Sequence, residues 1–178
     1  MDLDIAIKNR RSVRNYKPDS VPESDLKKII EAGRWAPSSG NTQPLELVVK
    51  ENEKGKKKIA KAANNQSFIA EAPTVIVACA NIPRTQKEYG KRGKNMYIFQ
   101  DTAAAIQNML LKAYSLGYGS CWIGSFQNDE VENIIDTPKK IKAVAIITIG
   151  IPEETPSPPK KRDRNEITHR ESFEKNDN

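Results

Sequence analysis

Three arginines and a serine fall within five residues, Arg10-Arg11-Ser12-Val13-Arg14. Planar guanidinium forks match the oxygens of a phosphate and a hydroxyl adds one more donor, so the cluster has the makings of a phosphate receptor. The same residues also suit a solvated basic helix end, where cations favour the negative pole of the helix dipole. A second group, Pro37-Ser38-Ser39-Gly40-Asn41-Thr42-Gln43-Pro44, sets small polar donors on a backbone bounded by two prolines. Such donors recognise the polar edge of a flat heterocycle or a ribityl-like chain; an ordinary turn has the same composition. A third, Leu116-Gly117-Tyr118-Gly119-Ser120-Cys121-Trp122-Ile123-Gly124, carries glycines that serve either tight turns or close approach of a planar ligand to the backbone. It does not follow the GxGxxG spacing of a dinucleotide site. A fourth, Lys160-Lys161-Arg162 with Arg164, is either a solvated tail run or the second half of a phosphate clamp.

Other chemistries find little support. The single histidine, His169, lies late in a polar tail, and Cys79 and Cys121 sit 42 positions apart in apolar surroundings. Neither a disulfide framework nor a metal-ligand pair follows, and neither cysteine has a cationic setting that favours a thiolate. No metal site and no catalytic nucleophile are expected. The 178 residues carry 29 Lys and Arg against 23 Asp and Glu, a net charge of +6, with much of the surplus in the N-terminal third. General attraction for polyanions is compatible with that balance, but a bound phosphate needs fewer of the same residues. Interleaved aromatics and a recognition-helix pattern are missing, which leaves a basic nucleic-acid-binding module, using 50–61 and 10–14, as the weaker reading. With no long apolar run and no signal-peptide pattern, a soluble cytoplasmic protein away from membranes is expected.

These groups must be held by a core. A chain of this length hides roughly 70% of its extended surface and needs no staples. Hydrophobic residues make up 37% and charged residues 29%, which leaves room for a core supplemented by a subunit interface. Periodicity predicts helices over 2–10, from Pro22 to about Gly33, over 51–63, over 96–116 and over 129–135. The helix over 96–116 places Phe99, Ala103, Ile106, Leu110 and Ala113 on one stripe and Thr102, Ala105 and Met109 on a second, the behaviour of a central helix. Strands are predicted over 45–50, 73–80, 119–123 and 143–150, with 81–95 read as a polar loop. Strands separated by helices argue a layered α/β fold. The proline-rich exit from Pro152 to Pro159 cannot build a core; alone it reads as disordered, and in an oligomer it suits an extended arm.

In order and spacing the four groups resemble the nitroreductase-like family of FMN-dependent NAD(P)H oxidoreductases, from about Asp4 to His169. The motifs that carry this are RRSVRNY at Arg10–Tyr16 and APSSGNTQP at Ala36–Pro44, supported by LGYGSCWIG and the basic stretch after the prolines. The resemblance implies an α+β (α/β layered) sandwich with a central mixed sheet flanked by helices, assembled as an intertwined homodimer with FMN at the subunit interface. Residues 1–152 would form the FMN-binding domain. The extension 153–178 would pack on the partner subunit and complete the phosphate site. Arg10, Ser12 and Arg14, with Arg11 nearby and Lys161 and Arg162 assisting, would hold the FMN phosphate. Pro37, Ser38, Ser39 and Asn41 would reach the flavin from the other subunit, joined by Gln43. Asn65 fits a ribityl contact, and Trp122, Ile123 and Gly124 would line the isoalloxazine. The reactive centre would be flavin N5, fed by NADH or NADPH and discharged to a small-molecule acceptor such as a nitroaromatic or a quinone. Relatives that run dehydrogenation, dehalogenation or flavin reduction on the same fold form the alternative. Leu45 after the QP pair, Gly124-Ser125 after the strand isoleucine and a short 81–95 stretch depart from the commonest pattern, and the last implies an open, permissive pocket.

Overall fold

The computed structural model describes residues 1–173. Four strands form one sheet: β1 Leu45–Lys50, β2 Thr74–Asn81, β3 Gly119–Ile123 and β4 Ile141–Gly150, in the order β1-β2-β4-β3. Every neighbouring pair is antiparallel. The parallel component of the expected mixed sheet is reduced to an isolated bridge between Ser12 and Ser120. The helices are α1 Leu3–Asn9, α2 Glu23–Arg34, α3 Glu53–Ala62, α4 Phe68–Glu71, α5 Ile82–Arg92, α6 Ile98–Ser115 and α7 Asn128–Ile134.

Alternation along β2 divides the interior. Val75, Val77 and Cys79 face a core with Ile59 of α3, Ile69 of α4 and Val131 of α7, whereas Ile76 and Ala78 face Ile29 of α2 and Ile106 and Met109 of α6. Both faces of the sheet are therefore covered, and the Val/Ile/Ala run of β2 is continuous because neither side meets water. Each fully buried aliphatic side chain contributes about 1.5–3 kcal/mol. Ala143 and Ala145 fall into opposite cores although they are two positions apart. The register slip between Ala78 and Cys79 accounts for this, since Ala78 pairs with Ala145 and Cys79 with Ala143, leaving Val144 as the extra residue of a bulge.

Three expectations need revision. Residues 81–95 are not a loop: α5 occupies 82–92, and Gly93–Tyr97 follow as a π turn. Thr85 is the only described residue of α5 that is buried, so the helix has no core-facing stripe to register in the hydrophobic pattern; Pro83 at its start is the signal that was present. The strand over 143–150 begins at Ile141, paired with Asn81. On α6, Ile106, Leu110 and Ala113 are buried as expected, but Phe99 is 53% exposed. Leu3, Ile5 and Ile7 of α1 are also exposed, so these apolar side chains have no cover among the described residues.

Candidate functional site

The arginine cluster is fastened to the outer edge of β3. Ser12 bridges Ser120, and the Val13 N–H donates to the Ser120 carbonyl at 3.0 Å. Gly119 permits this approach, because a Cβ there would stand 2.9 Å from the Val13 side chain. That glycine of the third motif thus serves chain packing. Tyr16 anchors the segment from inside: its buried hydroxyl donates to the Val13 carbonyl and bonds Thr148 Oγ1 at 2.7 Å. Burial pushes the Tyr16 phenol well above its ordinary value, chiefly through desolvation.

The beginning of the extension is stitched to the same segment. Glu154 accepts from the Arg14 and Asn15 N–H groups at 2.6 and 3.2 Å, and the Glu153 N–H donates to the Asn15 carbonyl at 2.9 Å. Pro156–Pro159 then wall a cavity of about 750 Å³ whose other lining includes Arg10, Arg11, Ser12, Arg14 and Lys161. Arg11 caps α1 by donating through Nη1 to the Lys8 and Arg10 carbonyls at 2.7 and 2.8 Å, while its Nε is buried with no partner among the described residues. Neither Arg10 nor Arg14 forms an ion pair among the described residues. The Arg14 guanidinium lies over the Phe68 ring, 5.8 Å from its centroid. Uncompensated cations and an orphaned donor around one cavity suit a phosphate.

The flat-ring candidates gather beside it. Asn64 and Asn65 form a left-handed turn, with φ of 58° and 59°. Asn64 Nδ2 donates to Ser125 Oγ at 2.9 Å and Gln66 Nε2 to the Ser125 carbonyl at 3.1 Å, so the Asn65 turn is tied to the segment leaving β3. Trp122 is 37% exposed, Gly124 is exposed, and Ile123 points into the core, which leaves only its backbone for a ligand. Arg162 is turned away from the cavity and donates to Glu166 through Nε at 3.3 Å and to the Glu166 carbonyl through Nη2 at 2.8 Å. Lys161, its neighbour, lines the cavity.

The Pro37–Pro44 loop lies elsewhere. It leads into β1, at the opposite edge of the sheet, and Pro37, Ser38 and Gln43 line a second cavity of about 400 Å³ with Leu45, Leu47, Arg84 and Asp101. Three strand spacings separate β1 from β3, about 14 Å, and the two cavities share no lining residue. The loop is tightly built. Asp101 Oδ1 accepts from both the Ser39 N–H and the Ser39 hydroxyl at 3.0 Å, Ser38 Oγ accepts from the Gln43 N–H at 3.0 Å, and Arg84 Nε donates to the Thr42 carbonyl at 2.7 Å. Asn41 and Gln43 hold φ of 56° and 48°, a conformation that needs such support. Asp101 escaped sequence reasoning. Its one available signal is that it is the single carboxylate on α6; it is 7% exposed, and its Oδ2 has no partner among the described residues.

A cavity lined by cations, a β3 edge that exposes Trp122 and Gly124, and a polar loop held apart on the far edge make a specific combination. The nitroreductase family model matches residues 7–67 and 60–151. The chain belongs to the nitroreductase family. It is 33% identical to a Methanothermobacter thermautotrophicus protein provisionally named NADH dehydrogenase/NAD(P)H nitroreductase, over 88% of this chain and 80% of that one. Identity to the FMN reductase [NAD(P)H] of Bacillus subtilis is 26%, over 94% and 73%. The crystal structure of a nitroreductase family protein from Clostridium novyi superposes with a TM-score of 0.79 at 30% identity, covering 86% of this chain and 87% of that one. No helix of this nitroreductase-family chain is long and apolar enough, among the described residues, to cross a membrane.

Proposed function

We propose that two copies of this chain form a homodimer with an FMN site at each of two equivalent seams, and that the protein is an NAD(P)H-dependent flavin oxidoreductase delivering reducing equivalents to a nitroaromatic or a quinone. The observation that carries the reading is the placement of the two half-sites at opposite edges of one sheet, in separate cavities. A second copy brings a Pro37–Gln43 loop to the β3 edge. Family membership and the FMN reductase relative support the cofactor, and the uncovered Leu3, Ile5, Ile7 and Phe99 support an association surface. Both cysteines are free and buried, in keeping with a cytoplasmic setting.

The residues present fit FMN. Arg10, Ser12, Arg14 and Lys161 would hold its phosphate, with the orphaned Arg11 Nε beside them. Arg162 joins only by releasing Glu166. Asn65 would meet the ribityl chain, and Trp122, the Ile123 backbone and Gly124 would meet the ring. Pro37, Ser38, Ser39, Asn41 and Gln43 of the partner subunit would close the other side. Bound there, FMN supplies reversible hydride transfer between a nicotinamide and an organic acceptor. The protein's part is to bind, orient and exclude water. Neither thiol is poised as a nucleophile: burial pushes Cys79 up to about 12 and raises Cys121 against the opposing pull of Arg14, Ser12 and Arg10.

The test is the double variant Arg10→Ala/Arg14→Ala. Charge-assisted bonds to phosphate contribute about 1.5–3 kcal/mol each, so the purified variant should lose its visible flavin absorbance while the wild type keeps it. Full flavin retention in the variant, or a wild type that neither binds added FMN nor dimerises, overturns the reading.

A further inference from the structure

The segment once expected to be a loop is strongly basic. Residues 84–94 hold Arg84, Lys87, Lys91, Arg92 and Lys94 against Glu88 alone, a surplus of four in a chain whose net charge is +6. None of the five cations forms an ion pair among the described residues. The segment also touches the Pro37–Pro44 loop directly. Arg84 bonds the Thr42 carbonyl, the Thr42 and Thr85 hydroxyls meet at 3.3 Å, and the Tyr89 hydroxyl packs so closely on Gly40 that any Cβ there would overlap it.

From Gly40 outward the contacts form a continuous stack. Tyr89 meets Tyr97 edge to face, with centroids 5.2 Å apart and planes at 80°. The Arg92 guanidinium lies 5.2 Å from the centroid of the Tyr97 ring, and its Nε donates to the Tyr97 hydroxyl at 2.8 Å. The backbone break that allows this sits at Gly90, whose φ of 54° and ψ of −134° suit only glycine. Arg92 is thus held by one nitrogen and one face. Both Nη groups have no partner among the described residues and form a fork whose freedom the two Tyr97 contacts restrict. A guanidinium so prepared loses less freedom on binding an oxyanion than a free surface lysine does. Lys91 and Lys94 add to the positive field around it.

We propose that Arg92 receives an anionic group, a carboxylate, sulfonate or phosphate, carried by the flat redox partner that approaches the flavin, and thereby sets a preference for anionic over neutral substrates. The proposal rests on the reading that the Pro37–Gln43 loop closes the flavin site, since α5 packs against that loop. The anion has two sources: the acceptor, or the 2′-phosphate that distinguishes NADPH from NADH. Two ratios separate them. Steady-state kcat/KM is measured for 4-nitrobenzoate against the neutral 4-nitrobenzamide, and for NADPH against NADH, in the wild type, Arg92→Ala and Arg92→Lys. Taking each ratio relative to the wild type cancels the intrinsic reactivity of the compounds.

Arg92→Ala should lower one ratio about fivefold at low ionic strength, with Arg92→Lys intermediate because it keeps the charge and loses the fork. A drop in the first ratio assigns the anion to the acceptor, and a drop in the second assigns it to the donor. As a readout independent of turnover, titrating the oxidised proteins with 4-nitrobenzoate and following the visible spectrum should show weaker, less salt-sensitive binding in Arg92→Ala if the acceptor is the source. Both ratios unchanged, with visible flavin absorbance retained, overturns the Arg92 proposal and leaves the flavin reading standing. A colourless wild type that ignores added FMN overturns the flavin reading and the Arg92 proposal together.

Discussion

Asp101 offers the sharpest test of how the polar loop is held. Replacing it with alanine removes two hydrogen bonds from Ser39 to one carboxylate oxygen, both at 3.0 Å, in a residue that is 7% exposed. Hydrogen bonds to a charged group contribute about 1.5–3 kcal/mol each. Against that loss stands the relief of a buried oxygen, Oδ2, that has no partner among the described residues; such a group costs about 1–3 kcal/mol. Taking the middle of each range, the net destabilisation is about 2–3 kcal/mol, which for a chain of 178 residues lowers the melting temperature by about 4–12 °C. Asp101→Asn keeps an acceptor for Ser39 and points its amide donors toward the vacant side, so it should cost under about 1 kcal/mol. Thermal unfolding by circular dichroism at one fixed protein concentration measures both, and FMN titration should show weaker binding in the order alanine, asparagine, wild type. An alanine variant melting within 1 °C of wild type, or an asparagine variant less stable than alanine, refutes the reasoning.

Three further outcomes are expected. The buried Cys79 thiol, raised from 9.0 to about 12 first by desolvation and then by Glu132 and Glu46, favours the fold only while neutral. Its unfolded counterpart ionises from about pH 9, so stability should hold below pH 9 and fall between pH 9 and 12. Cys79→Ala should flatten that limb in denaturant titrations run across the range; an unchanged slope counts against the burial argument. Gly40→Ala imposes a side chain on a φ of 54° and on the Tyr89 hydroxyl. It should destabilise by about 1–2 kcal/mol and weaken FMN binding, whereas a neutral effect on both would separate the loop from α5. Truncation after Pro152 removes the Glu154 bonds and the Pro156–Lys161 wall. Flavin should be lost and sedimentation should show a weaker dimer; an unaffected dimer refutes the role of the extension.

Much of the layered fold was legible because its signals are local. The Val/Ile/Ala runs of β2 and β4 and the broad apolar girth of α6 are properties of contiguous residues, and the structure places them in the interior. The α5 helix was hidden because its single buried residue, Thr85, leaves no periodic stripe. Phe99 misled for the complementary reason: its spacing fits a core face, but it stays exposed among the described residues. The arginine, loop and glycine motifs announced a site by composition, yet their distribution between the two edges depends on strand order, which no window of sequence contains. Asp101 is 62 positions from the serine it fixes, and that pairing exists only once α6 and the loop are packed.

The split of the site across the sheet also shapes how damage is inherited. On the proposed dimer, a chain with a ruined arginine cluster still presents a sound loop, and a chain with a ruined loop still presents sound arginines. When two such chains meet, one seam collects both lesions and the other receives neither. Co-expressed defective alleles would thus restore holoenzyme that neither produces alone, a form of intragenic complementation that follows directly from placing the two motifs on β1 and β3.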